Sequence, residues 1–178
     1  MTPREVEEYR ALRATIRERG TARVWIFVVG LTGWAGLVVA TAAVVSLPVA
    51  TLLPLLVLAG VFEAVFALHV GVERVGRYIQ SFYEGPGERG WEHAAMEFGA
   101  AFAGIKTDAL FAMPFCLATV LNFIPAILAG ALPIEWTVVG AAHTLFIGRV
   151  VVARRRASKQ RSADLARFES LQRQSVKP

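Results

Sequence analysis

The chain has 178 residues, 55% of them apolar, and carries a net charge of +5. Its mean hydropathy is +0.50, above what a soluble domain of about 45–50% apolar content shows, which points to a membrane protein. The single cysteine, Cys116, rules out an internal disulfide and a cysteine-based zinc site, and its apolar neighbours suit an inert buried thiol.

Thr2-Pro3-Arg4-Glu5 combines a threonine cap, proline at the first helical position and glutamate at the third, a helix-start pattern. Val6, Tyr9, Leu12 and Ile16 then recur every three or four residues, so residues 1–23 are predicted to form a short amphipathic helix, with Gly20 as its stop. Val24–Leu47 holds no charged residue. At 1.5 Å per residue it covers about 36 Å, enough for a hydrocarbon core of about 30 Å. Gly30, Gly33 and Gly36 would let a neighbouring helix come close.

After Pro48 a second span is expected over Val49–Val72, apolar except for Glu63 and His69, running into the charged and aromatic stretch Glu73–Tyr78. Gly85-Pro86-Gly87 marks a turn. Trp91–Thr107 reads as an interfacial helix, because His93, Glu97 and Lys106 make it too polar to span. A third span is expected over Ala109–Leu132, with kinks at Pro114 and Pro125. A fourth covers Trp136–Ala153, with His143 near its middle and Arg149 near its end. The tail, residues 154–178, opens with Arg154-Arg155-Arg156 and is weakly amphipathic through Leu165, Phe168 and Leu171.

The predicted fold class is therefore an all-α integral membrane protein. Four transmembrane helices occupy residues 24–153, with cytoplasmic amphipathic helices at the N-terminus, between spans two and three, and at the C-terminus. All nineteen Lys and Arg residues fall before the first span, between the second and third, or from Arg149 onward. Neither of the other two connections contains one. The positive-inside rule then places both termini in the cytoplasm of a cell (inner) membrane. The first residues are too charged, and the apolar stretch after them too long, for a cleavable leader. The arginine row beside the last span favours anionic lipid headgroups over nucleic acid, at about 1 kcal/mol per basic side chain.

Ionisable groups within a span are costly and mark functional sites. His69, Glu73 and Arg77 stack at i, i+4, i+8, and Glu63 and Arg74 lie about 20° apart on the same helix. Glu63, His69 and Glu73, with His143 from the fourth span, form a candidate ion or proton path, since histidine as a residue type titrates near neutral pH and desolvation raises a carboxyl's pKa. The bland reading of the same stripe is helix packing, with His143 or Asn122 as hydrogen-bond partners. A metal is a sharper alternative, because His69–Glu73 and His93–Glu97 each place a histidine and a carboxylate on one helical face. Arg74, Arg77, Arg154, Arg155 and Arg156 are candidates for an anionic ligand or headgroup. No cofactor is expected: glycine-rich phosphate loops, nucleophile elbows and zinc-protease motifs are absent.

Glu73-Arg74-Val75-Gly76-Arg77, with Glu84 following, resembles a cytoplasmic stretch of the membrane-associated glutathione and eicosanoid enzymes. Those are small four-helix proteins that bind glutathione at an oligomer interface. The pattern departs from theirs where Ser81 replaces an asparagine, where the stretch follows the second span rather than the first, and where Gly85-Pro86-Gly87 stops the helix. The resemblance implies an anion grip at Arg74 and Arg77 and does not assign the chain to that family.

Three functional classes follow. The favoured expectation is a non-enzymatic membrane subunit or scaffold that self-associates or joins a larger complex. The second is an ion or proton channel or transporter using Glu63 and His69, and the third a membrane enzyme holding an anionic ligand or metal near Arg74 and Arg77.

Overall fold

The computed structural model describes residues 1–44, 47–84, 90–101 and 107–175, and every regular element among them is helical. In chain order these are α1 (Pro3–Val44), a 3-10 turn (Pro48–Thr51), α2 (Leu52–Phe82), α3 (Trp91–Ala101), α4 (Thr107–Leu128) and α5 (Pro133–Ser175). Among the described residues three helical segments are long and apolar enough to cross a membrane, those of α1, of α2 with its preceding turn, and of α5. The apolar part of α4, Ala112–Leu128, is shorter.

Two expected breaks do not occur. Gly20 does not stop the first helix, and α1 runs unbroken from Pro3 to Val44. A glycine terminates a helix by taking a left-handed conformation, and among the described residues Gly130 alone does so, at φ 68°. The Glu- and Arg-rich turns before it favour the helix, and Ala22 and Arg23 continue it, which absorbs the ~1 kcal/mol that a mid-helix glycine costs. The basic tail is likewise no separate segment, since α5 continues through the arginine row to Ser175. The start of α1 is as expected: the Thr2 hydroxyl accepts the Glu5 N–H (3.3 Å) while the Glu5 carboxylate accepts the Thr2 N–H (2.6 Å).

The third apolar helix ends at Leu128, short of the expected Leu132. Gly130 turns the chain there, donating to the Ile127 carbonyl (3.4 Å). Pro133 then occupies the first position of α5, and the Glu135 carboxylate reaches back to the Leu132 N–H (2.8 Å). The expected interfacial helix is present as α3 over Trp91–Ala101, and the rest of its range, 102–106, lies outside the described residues.

The chain divides into two compact units. The first, called the apolar unit below, comprises Arg23–Phe66 and Thr107–Arg154. Phe62 is the hub of its core, meeting Phe115 (5.2 Å between ring centroids) and Phe146 (5.8 Å) edge to face. Leu55, Leu58, Val65, Ala118 and Val150 fill in around it. At Gly30 the helices come so close that a Cβ would lie 2.5 Å from a Val61 methyl. Outward, Val29, Leu53, Leu56, Leu117, Ile124 and Leu145 are all exposed, an apolar surface far larger than water-soluble monomers present.

The second, the charged unit, comprises Met1–Ala22, Ala67–Lys106 and Arg155–Pro178. Ile79 is fully buried there, and aromatic pairs do much of the packing: Tyr9 with Tyr83 (5.5 Å), and Tyr78 with both Phe82 (4.7 Å) and Phe168 (5.6 Å).

Candidate functional site

Within the apolar unit Trp34, Asn122 and His143, with the Thr51 backbone carbonyl, form one closed cluster, while buried Thr119 bonds the Phe115 carbonyl of its own helix (2.6 Å). Trp34 Nε1, which can only donate, bonds Asn122 Oδ1 (3.1 Å). That contact fixes the orientation of the Asn122 amide. Its nitrogen then faces the Thr51 carbonyl (2.9 Å) and His143 Nε2 (2.9 Å). His143 Nδ1 lies 2.8 Å from the Val139 carbonyl, which accepts only, so Nδ1 carries the proton and Nε2 is the acceptor. Every proton in the cluster is thereby assigned, with a neutral imidazole at its centre. Asn122 and His143 are buried, and a second proton on the imidazole would set two donors against each other.

Glu63 is not part of that cluster. Its carboxylate is 2.7 Å from the Arg149 guanidinium, with the Glu63 and Arg149 side chains 48% and 40% exposed. The same guanidinium lies over the rings of Phe62 (5.8 Å) and Phe66 (5.5 Å). Glu63 thus neutralises a charge on α5 and does not pair with His143, whose ring nitrogens are both used.

In the charged unit Glu84 holds the start of α3. Its two oxygens accept the backbone N–H groups of Glu92 (2.9 Å) and His93 (3.0 Å), and one meets His93 Nδ1 at 2.9 Å. Arg13 approaches from α1, 3.8 Å from Glu84 and 2.8 Å from Glu92. Burial by itself would raise the Glu84 carboxyl's pKa, but those two N–H groups and the imidazole together hold it below the usual range. Gly90 is required beside it, because any Cβ there would run into the Glu84 carboxylate. The Tyr83 phenol is pushed up to about 12 by burial and by Glu8.

One turn earlier on α2 is a row of shared ion pairs. Arg77 donates to Gln80 (2.7 Å) and lies 3.5 Å from Glu73, whose carboxylate also meets Arg161 at 2.8 Å. Arg74 and Arg167 share Asp164, at 3.4 and 3.5 Å. His69 lines a small cavity beside Glu73, Arg74 and Arg77.

The expected residues therefore fall into separate groups. Glu73 is taken by arginines and His93 by Glu84, so the two histidine–glutamate pairs do not converge. Among the described residues no three His, Cys, Asp or Glu side chains gather as a metal site would need, and Glu97 is exposed on α3. Arg74 and Arg77 are engaged by protein carboxylates, whereas Arg154, Arg155 and Arg156 are exposed. Trp34, Thr51, Arg13 and Glu92 were not singled out by the sequence. A tryptophan in one apolar run and an asparagine in another were the available signal for the first pair. For Arg13 and Glu92 there was none, since each sits among similar charged neighbours. Comparisons with protein-family models, curated proteins and solved structures returned no match.

Proposed function

We propose that the protein is a four-span membrane scaffold or subunit, non-enzymatic, with both termini and the charged unit on the cytoplasmic side. The observation that carries this reading is the use of the polar groups in the apolar unit. Trp34, Asn122, His143 and Thr51 satisfy one another, and Glu63 is closed by Arg149. A proton path needs groups that can exchange partners, whereas a packing device needs groups that hold them. In this reading the exposed apolar side chains face lipid, and α4 serves as the third span despite its shorter apolar run. The open space around Gly33 and Gly36 suits approach of another helix, so self-association or entry into a larger complex follows. The exposed arginine row at 154–156 would meet anionic headgroups.

One reconstitution tests it. Purified protein in liposomes is expected to leave proton and cation permeability at the level of empty vesicles while running as a discrete oligomer after crosslinking. A flux abolished by Glu63→Gln would transfer the assignment to a channel or transporter.

A further inference from the structure

α3 is amphipathic in the reverse sense to a helix packed in water. The side it turns toward α1 and α2 is the charged one. Glu92 pairs with Arg13 (2.8 Å), and its carboxylate lies so near α2 that a Cβ on Gly76 would meet it at 3.0 Å. The first N–H groups of the helix and the His93 ring are held by Glu84 at 2.9–3.0 Å.

The other side is apolar and open. Trp91 is 71% and Phe98 66% exposed, and Ala94 and Ala95 are exposed with them. At 100° per residue Trp91, Ala95 and Phe98 fall within about 60° of arc, turned away from Glu92 and His93. A helix whose surroundings are water buries its apolar stripe. An indole and a phenyl ring held outward over a charged seat suit a membrane interface instead, where Trp is enriched.

Chain connectivity points to the same surroundings. Residues 102–106 alone separate α3 from α4, so in the four-span reading, on which this inference rests, Ala101 stays within about 20 Å of the bilayer surface. Arg89 and Lys106 bracket the segment in the sequence, the placement from which basic side chains reach lipid phosphates. Of the carboxylates on α3, Glu92 is neutralised by Arg13, and Glu97 is exposed to one side of the apolar stripe.

We propose that α3 is a bilayer anchor. Trp91, Ala95 and Phe98 enter the boundary between headgroups and acyl chains, and the contacts among Glu84, Glu92 and Arg13 tie the charged unit to that anchor. Its attraction comes from apolar burial, so it needs no anionic lipid. That requirement separates it from the arginine row at 154–156.

The test uses the full chain in phosphatidylcholine vesicles, with Cys116→Ser and one nitroxide-labelled cysteine at a time: Ala95→Cys, Glu97→Cys or, as a control in the apolar unit, Leu145→Cys. Collision with oxygen, which concentrates in lipid, is compared with collision with a water-soluble nickel chelate. The oxygen-to-chelate ratio is expected to be several-fold higher at Ala95→Cys than at Glu97→Cys, and unchanged by added phosphatidylglycerol. Trp91→Ser with Phe98→Ser should remove the difference. Equal ratios at Ala95→Cys and Glu97→Cys beside an oxygen-rich Leu145→Cys would overturn the anchor and leave the four spans standing. A chelate-accessible Leu145→Cys would overturn both. Spectral broadening at Ala95→Cys that disappears on dilution with unlabelled chain would mean that a second copy covers the face, and a difference seen only with phosphatidylglycerol would mean attraction by charge. Either result would also overturn the proposal.

Discussion

In the apolar unit, aromatic rings meet edge to face around Phe62 and a single buried polar cluster ties α1, α4 and α5 to the 3-10 turn. In the charged unit, carboxylates are each shared by several donors: Glu84 by α3 and Arg13, Glu73 and Asp164 by two arginines apiece. In the proposed membrane topology the difference reflects the solvent each is built for. Where the surroundings are apolar, dispersion and a few fully matched hydrogen bonds set the register, because an unmatched polar group has nowhere to go. Where charges are gathered, each buried carboxylate is matched by several donors, which offsets the cost of taking it out of water.

The sharpest way to break that contrast is at Asn122. Asn122→Ala removes three hydrogen bonds at once and is expected to cost about 3 kcal/mol, at about 1 kcal/mol each for bonds between membrane helices. Denaturation in mixed micelles by increasing dodecyl sulfate measures it, and a loss below that of a surface control would mean the cluster is incidental. Arg149→Ala should cost nearly as much, about 2–3 kcal/mol, because it leaves the Glu63 charge in an apolar setting. The double variant Glu63→Leu/Arg149→Leu should recover most of that loss. If the pair instead lies in water, the single change costs well under 1 kcal/mol.

In the charged unit, Glu84→Gln is expected to cost about 2 kcal/mol, since hydrogen bonds to a charged acceptor are lost. Faster amide exchange in α3, with the apolar unit unchanged, would show the loss is local. The same contact gives a pH signature. The Glu84 pKa is lowered by folding, so its contribution is complete above the ordinary glutamate value of 4.5 and is lost as the pH falls below it. α3 should therefore loosen in mild acid before α2 does. The smallest effect is expected at Gly30→Ala, about 1–2 kcal/mol from overpacking. Val61→Ala in the same chain should relieve it.

Much of the architecture was legible in the residues. Long uncharged runs bounded by Pro48 and Pro133, the capping pattern at Thr2 and the gathering of Lys and Arg at the ends of the apolar runs are local or periodic signals that need no knowledge of contacts. The helix ends were read less well: Gly20 reads as a stop although no proline closely follows it, whereas Gly130, three residues before Pro133, is the one that turns the chain. What separates them is whether the chain beyond can continue the helix, which is a matter of neighbours.

The candidate site was the least legible part. His143 and Asn122 could be named as partners because polar groups in apolar spans have few choices. Trp34 and Thr51, distant in the chain, join them only when helices pack. His69–Glu73 and His93–Glu97 carry a metal-like spacing, yet Glu73 is held by Arg77 and Arg161 and His93 by Glu84. Spacing along a helix determines which side chains share a face. The sequence by itself determined hydropathy, charge placement and helical faces, since these depend on short-range chain geometry. Only the tertiary structure decided which faces meet, and with that which charges are spent on one another.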